Sequence, residues 1–282
     1  MKEKDIFEKT TKFNTGIKLY MFQTGSIKTK LKFIKMNQGE EPYEIPIPWF
    51  LIKHPEGDVI IDGGMPIEVA QDKHKHWGSV VEAYDPVMKA SEWCKDVVKS
   101  VNTNPEDVKY VIQTHLHLDH SGAIGHFPNA THITQKLEYD YAFNPDWFSQ
   151  PAYIRADFDK PNIRWKFLQG RKTDFYDVYG DGVIKVIFTP GHTPGHSGFR
   201  VDSDNQALVH LGDIIHAPNL QLNDPNASTI FDIDSGEALN SRKKMLDMVS
   251  TDRVMCTSGH TLEPKFGFIE KRACPLAKRK FR

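Results

Sequence analysis

The chain reads as a mixed α/β (α+β) domain in which two sheets pack face to face with helices outside. Short apolar runs of strand length recur in both halves, and each half places its strands before its helical stretches. No internal repeat or low-complexity linker divides the 282 residues. A single domain over 1–282 is therefore expected, with a charged N-terminal extension at 1–14 and a basic C-terminal tail at 271–282. The tail reads as exposed chain rather than a nucleic-acid contact.

Residues 16–34 alternate like a strand pair that turns near Gly25-Ser26. Residues 46–53 and 58–62 read as a hairpin, because Pro55-Glu56-Gly57-Asp58 supplies turn chemistry between them. Gly63-Gly64 then breaks the pattern. Residues 80–101 have helical spacing, and Asn104-Pro105-Glu106-Asp107 starts a turn or short helix. Residues 108–114 form a short apolar strand that runs directly into a histidine cluster. Another strand is expected at 132–134, a helix at 135–143, and an irregular insertion rich in aromatics and prolines at 144–160. In the second half, 183–188, 198–201 and 207–211 read as strands and 235–249 as a capped helix. Residues 253–256 make a last strand, which ends at Thr257-Ser258-Gly259-His260.

Hydrophobic residues make up 39% and charged residues 26%, with a formal net charge of −1, so nothing demands a polyanionic partner or a membrane surface. No run of 18 apolar residues is present. The first fourteen residues are charged and lack the apolar centre of a secretory signal. Cys94, Cys256 and Cys274 are sparse and show no C-x-x-C spacing, which argues against a disulfide framework or a cysteine zinc site. A reducing cytoplasm is the expected compartment.

Histidine is the unusual element, with thirteen in the chain. The run His115-Leu116-His117-Leu118-Asp119-His120 puts three imidazoles and a carboxylate within six residues, where the chain leaves a strand. Neutral imidazole and carboxylate suit zinc or a similar first-row ion. His115 and His117 alternate and can face one ion, while Asp119 and His120 can reach a second one roughly 3.5–4 Å away. His192, Asp213 and His260 each follow a predicted strand on a loop containing glycine.

The order H-x-H-x-D-H, then His, Asp and His, resembles the metallo-β-lactamase superfamily in its binuclear hydrolase form. Further segments resemble its N-acyl-homoserine lactonase branch. They include Asn37-Gln38-Gly39, Tyr43-Glu44-Ile45-Pro46, Ile61-Asp62-Gly63-Gly64, Ser121-Gly122-Ala123-Ile124-Gly125, Phe127-Pro128-Asn129-Ala130 and Tyr141-Ala142-Phe143. The similarity spans roughly residues 16–262 and implies an αββα sandwich, the metallo-β-lactamase fold. It implies that His115, His117 and His192 hold one ion, that Asp119, His120 and His260 hold the other, and that Asp213 bridges them. Two divalent ions, zinc by expectation, would supply a bridging hydroxide that opens the lactone ring of a quorum-sensing signal. Asp119 would carry the proton to the departing alkoxide. The resemblance also suggests a homodimer.

One position departs from the pattern. The branch usually has tyrosine three residues after the bridging aspartate, and this chain has His216. Its imidazole is expected either to donate the hydrogen bond to the substrate carbonyl that the tyrosine would donate, or to titrate near neutrality and add a pH dependence. Asp62 is expected to orient a ligand histidine. His196 reads as a structural hydrogen-bonder. The acyl tail needs an apolar slot, for which Met21, Phe22, Met65, Trp77, Leu118, Phe143, Trp147 and Phe148 are candidates, with 144–155 as a lid.

The alternatives are a hydrolase of simpler lactones such as γ-butyrolactone and a glyoxalase II-like thioesterase. An RNA-processing nuclease would want a basic exosite that the net charge does not supply. A zinc-stabilised scaffold would close its metal sites, whereas the ligand set here leaves room for water.

Overall fold

The computed structural model describes residues 16–172, 175–203, 206–222, 224, 226–261 and 266–269. The expected N-terminal extension, the basic tail and Cys274 lie outside the described residues.

Among the described residues twelve strands form two sheets. The first contains β1 (Lys18–Lys30), β2 (Pro42–Lys53), β3 (Asp58–Ile61), β4 (Asp85–Val87), β5 (Val108–Ile112), β6 (Thr131–Gln135) and β7 (Arg164–Leu168), in the order β4-β1-β2-β3-β5-β6-β7. The second contains β8 (Phe175–Asp177), β9 (Ile184–Phe188), β10 (Ser197–Ser203), β11 (Gln206–His210) and β12 (Met255–Thr257), in the order β12-β11-β10-β9-β8.

The sheets meet through side chains that point inward at every second position. Leu19, Met21, Phe50, Ile52, Val59 and Ile61 of the first sheet pack with Ile184, Val186, Phe199, Val201 and Leu208 of the second. The outer faces are covered by helices. On the second sheet, Val209 and Cys256 pack under Met245, Leu246 and Val249 of the helix Ser235–Asp252. On the first, Trp49, Leu51 and Val111 pack under Cys94 and Val98. The layers are therefore α, β, β and α. The helix Ser235–Asp252 begins where Asp234 accepts a hydrogen bond from the Glu237 amide at 2.8 Å, and it ends at Arg253 in the left-handed conformation.

Five stretches differ from the sequence reading. Residues 18–30 are one strand with a bulge between Gln23 and Ser26, not a hairpin, because both halves pair continuously with β2. Residues 80–101 are not one helix. Asp85-Pro86-Val87 forms strand β4 against β1, and short helical turns lie on either side of it. The helix Ile67–Trp77 and strands β7 and β8 carry too little periodic apolar pattern to be read from sequence. The helix is also interrupted, at Asp72, which has φ −160° and ψ 91°.

Strand direction fixes where the chemistry goes. β3 and β5 are parallel, as are β11 and β12, and β9 shares the direction of β11 because each is antiparallel to β10. The loops that carry Asp62, His115–His120, His192, Asp213 and His260 all follow the C-terminal ends of these strands. Among the described residues no helix is long and apolar enough to cross a membrane.

Candidate metal centre

The loops bring seven predicted side chains into one buried cluster. His115, His117 and His192 form one group able to hold a cation. His115, His120 and Asp213 form a second, and Asp119, His120 and His260 a third, with the ligand atoms of each within 4.8 Å of one another. His216 joins His192 and Asp213 in a fourth group.

Asp213 stands at the centre. Its Oδ2 faces Nε2 of His260 at 3.1 Å, His216 at 3.4 Å, His120 at 3.5 Å, His192 at 3.8 Å and His115 at 3.9 Å. Its other oxygen, like Nε2 of His115 and His120, is buried without a hydrogen-bond partner. Polar atoms converging in this way on one point, with no protein group to satisfy them, are the donor set expected of a divalent-cation site. The residues fit two such ions, and Asp213 lies at the centre of the donor set. Gly259 permits the approach, since a Cβ there would fall 1.9 Å from Asp213 Oδ1.

The ring atoms that point away from the cluster are mostly anchored. His120 Nδ1 lies 2.9 Å from Asp62 Oδ2, and the Asp62 carboxylate also accepts from the Thr114 amide at 2.7 Å and the Thr114 hydroxyl at 2.8 Å. Asp62 occupies the left-handed region at φ 65°, which an aspartate tolerates better than most residues. His115 Nδ1 meets Thr114 Oγ1 at 3.0 Å, His260 Nδ1 meets the Pro46 carbonyl at 3.0 Å, and His192 Nδ1 meets Asp232 Oδ1 at 3.3 Å. Such outer partners fix the tautomer and the ring orientation. His216 is held differently. Its backbone amide donates to Gln221 Oε1 at 2.7 Å, while its Nδ1 has no partner.

His196 takes no place among the candidate ligands. Its Nε2 accepts the Asp213 backbone amide at 3.0 Å, and its Nδ1 lies 3.0 Å from the Thr189 carbonyl, so it pins the loop that presents Asp213.

Electrostatics divide the cluster. Burial holds His115 and His117 well below the usual imidazole range, and the neighbouring imidazoles add to this. Burial also lowers His192 and His216 to about 3. These rings are neutral and offer lone pairs. At His120 burial acts in the same direction, but Asp119, Asp213 and Asp62 outweigh it and raise the value. Burial disfavours the Asp213 carboxylate, yet His260, His120 and His216 hold it well below the usual range. The half around Asp119, His120 and His260 thus favours positive charge.

Two buried carboxylates support the cluster and were not singled out from sequence. Glu138 accepts from the Leu116 amide at 2.9 Å, the Gly195 amide at 3.2 Å, the Tyr153 hydroxyl at 3.4 Å and the Thr193 hydroxyl. It therefore ties the His115–His117 turn to the His192 loop. Asp232 sits behind His192.

A cavity of about 240 Å³ opens above Asp119, Asp213, His216 and His260. Paired Ile27 and Ile45 of β1 and β2 form one side, and Val80 and Tyr84 continue it. Ile230, Phe231, Ile233, Leu118 and Phe148 also line the cavity, and Phe231 packs edge-on against Tyr84 at 5.0 Å.

Of the expected slot residues, Leu118, Phe148 and His216 line this cavity. The others require correction. Met21 points into the core between the sheets. Phe22, on the other face of β1, stacks on Trp49 at 4.6 Å. The Gln23/Ser26 bulge redirects the strand, so Ile27 reaches the cavity instead. Met65 and Trp77 are buried among Val69, Val81 and Leu118 behind the wall. Phe143 packs on Phe158 at 5.4 Å and Tyr139 at 4.7 Å. Trp147 is 85% exposed beside Phe148 and lies outside the cavity. Ile27, Ile45, Val80, Tyr84 and residues 230–233 were missed, because nothing local marks an apolar side chain as cavity lining rather than core.

Two layers around a convergent His/Asp cluster at the strand ends define a metal-dependent hydrolase architecture. The chain belongs to the metallo-beta-lactamase superfamily, whose family model matches residues 43–260. Among curated proteins it is 57% identical over 198 residues to the N-acyl homoserine lactonase AttM of Agrobacterium fabrum, a match covering 70% of this chain and 75% of that protein. Its fold is also that of a solved N-acyl homoserine lactone hydrolase carrying N-hexanoyl-L-homoserine at its catalytic metal centre. That structure has a TM-score of 0.75 and 23% identity, over 87% of this chain and 93% of the other. AidC, a dizinc quorum-quenching lactonase, gives a TM-score of 0.72 at 19% identity, over 95% and 94% of the two chains.

Proposed function

We propose that the chain is a quorum-quenching lactonase that opens the ring of N-acyl homoserine lactones at a centre of two zinc ions. The observation that carries this is one carboxylate oxygen, Asp213 Oδ2, with five imidazole nitrogens 3.1–3.9 Å from it beneath an apolar cavity. Support for the substrate comes from the 57%-identical lactonase, and support for zinc from the nitrogen-rich ligand set and the dizinc relative of the same fold.

His115, His117 and His192 would hold one ion, Asp119, His120 and His260 the other, and Asp213 both. When bound, such ions supply Lewis acidity, which makes water nucleophilic near neutral pH and polarises a carbonyl. The residues do the rest. Asp62, Thr114, Asp232 and the Pro46 carbonyl hold the imidazoles in their tautomers. His216 lines the cavity and would donate to the lactone carbonyl oxygen, fixing the ring over the floor. Asp119 also lines the cavity and would carry a proton to the ring oxygen as it leaves. Ile230, Phe231 and Ile27 would take the acyl tail and exclude water. The buried, unpaired Cys94 and Cys256 accord with a reducing cytoplasm as its setting.

Hydrolysis followed by proton release, on zinc-loaded and chelator-stripped protein, tests the reading. Ring opening should require metal and should favour N-hexanoyl homoserine lactone over γ-butyrolactone by at least about tenfold in kcat/KM. Equal rates on both lactones would remove the acyl chain from the reading, and absence of lactone turnover would remove the lactonase.

A further inference from the structure

Arg242 and Asp232 are an ion pair sealed in the interior, both side chains 0% exposed, 3.6 Å apart. A buried pair of this kind is seldom the most stable solution for a core, so its retention calls for another reason. Its contacts supply one. Arg242 Nε donates to the Ile214 carbonyl at 2.6 Å, next to Asp213, and Nη1 donates to the Ala227 carbonyl at 3.0 Å. Asp232 Oδ2 accepts from the Thr229 amide at 3.3 Å, and Oδ1 takes the Thr229 hydroxyl at 3.4 Å and His192 Nδ1 at 3.3 Å. The same segment is strapped to the His192 loop through its backbone, Ile233 N to His192 O at 3.1 Å and Asp234 N to Gly191 O at 2.9 Å. Its neighbours in sequence, Ile230, Phe231 and Ile233, line the cavity.

We propose that Asp232, held in place by Arg242, is the positioning residue of His192, and that this pair sets how tightly the ion at His115, His117 and His192 is retained. The inference rests on the metal reading given above. A carboxylate behind a ligand imidazole keeps the proton on Nδ1, leaves the Nε2 lone pair for the cation and makes that nitrogen a stronger donor. Arg242 keeps the carboxylate from turning away and joins it to the loop carrying Asp213. His120 has its own carboxylate in Asp62, from a different strand end, so each half of the centre has a separate support.

The test dialyses zinc-loaded protein against graded chelator and measures ions retained per chain. Asp232→Asn keeps the shape but removes the charge. Asp232→Asn with Arg242→Met removes both charges, so that no cation is left buried alone. Each folded variant should lose one of its two ions at roughly 10- to 100-fold lower chelator strength than wild type. The other ion should be held as before, and in the metal-free chain the double variant, which leaves no charge buried alone, should melt closer to wild type than Asp232→Asn does. Two unchanged affinities in the folded variants would overturn the proposal, as would failure of both variants to fold, since the pair would then be structural. A wild-type chain retaining fewer than two ions would instead overturn the metal reading, and this inference with it.

Discussion

The floor of the cavity is polar, largely buried and assembled from residues that each sit just past the end of a strand. The wall is apolar, partly open and assembled from five separate segments, around residues 27, 45, 80–84, 148–152 and 230–233. On the floor most of the imidazoles have a directional partner, so a shift of a few tenths of an ångström matters. On the wall, contact is non-directional and scales with area, so one side chain can stand in for another. The difference teaches that the reaction type belongs to the floor and the choice of substrate to the wall. The two should respond to substitution in different ways.

The largest effect is expected at Asp213, where one carboxylate serves the whole floor. Asp213→Asn should lower lactone kcat/KM by at least about a thousandfold and reduce the metal retained after dialysis. An asparagine variant with full metal and full rate would break the picture of a floor organised around this oxygen.

A smaller effect is expected beneath the floor, at Glu138. Burial raises its carboxyl to about 6 from an ordinary 4.5, although four hydrogen bonds oppose the rise. The folded chain therefore binds this proton more tightly than the unfolded chain between those values. The associated stability is present below about 4.5 and lost as pH rises through about 6. By linkage the loss is about 2 kcal/mol. Glu138→Gln cannot titrate, so denaturant titrations at pH 4.5 and 7 should show wild type losing about 2 kcal/mol more than the variant over that interval. Parallel pH profiles would mean that the carboxyl does not titrate there.

The smallest change is expected on the wall. Phe231→Ala should weaken the reaction of N-hexanoyl homoserine lactone roughly tenfold, chiefly through KM, and leave γ-butyrolactone unchanged. Equal losses on both lactones would place Phe231 with the floor, through its stacking at 5.9 Å on His216.

The same contrast separates what was legible in the sequence from what was not. The H-x-H-x-D-H run, His192, Asp213 and His260 stood out because ligand chemistry demands rare residue types at strand ends, and strand ends can be read from short apolar runs. Asp62 was legible for the same reason, lying between a strand and Gly63-Gly64. Asp232 was not. In Phe231-Asp232-Ile233-Asp234, one aspartate caps a helix and the other is buried behind a histidine, and no local pattern tells them apart. Glu138 was hidden within a helix that shows ordinary spacing. Ile27 rather than Met21 reaches the cavity because of a bulge that the alternation of β1 does not announce.

By itself, then, the sequence determined the class of chemistry, the two-sheet fold and a set of candidate ligands, since these depend on residue type, on periodicities along the chain and on the resemblance those motifs carry. Only the tertiary structure decided which apolar side chains face substrate and which carboxylates stand behind the imidazoles. Those choices are made by contacts between segments far apart in the chain, such as Asp62 with His120 and Pro46 with His260. A hydrogen bond or a packed face across that distance leaves no mark on the neighbouring residues from which it could be read.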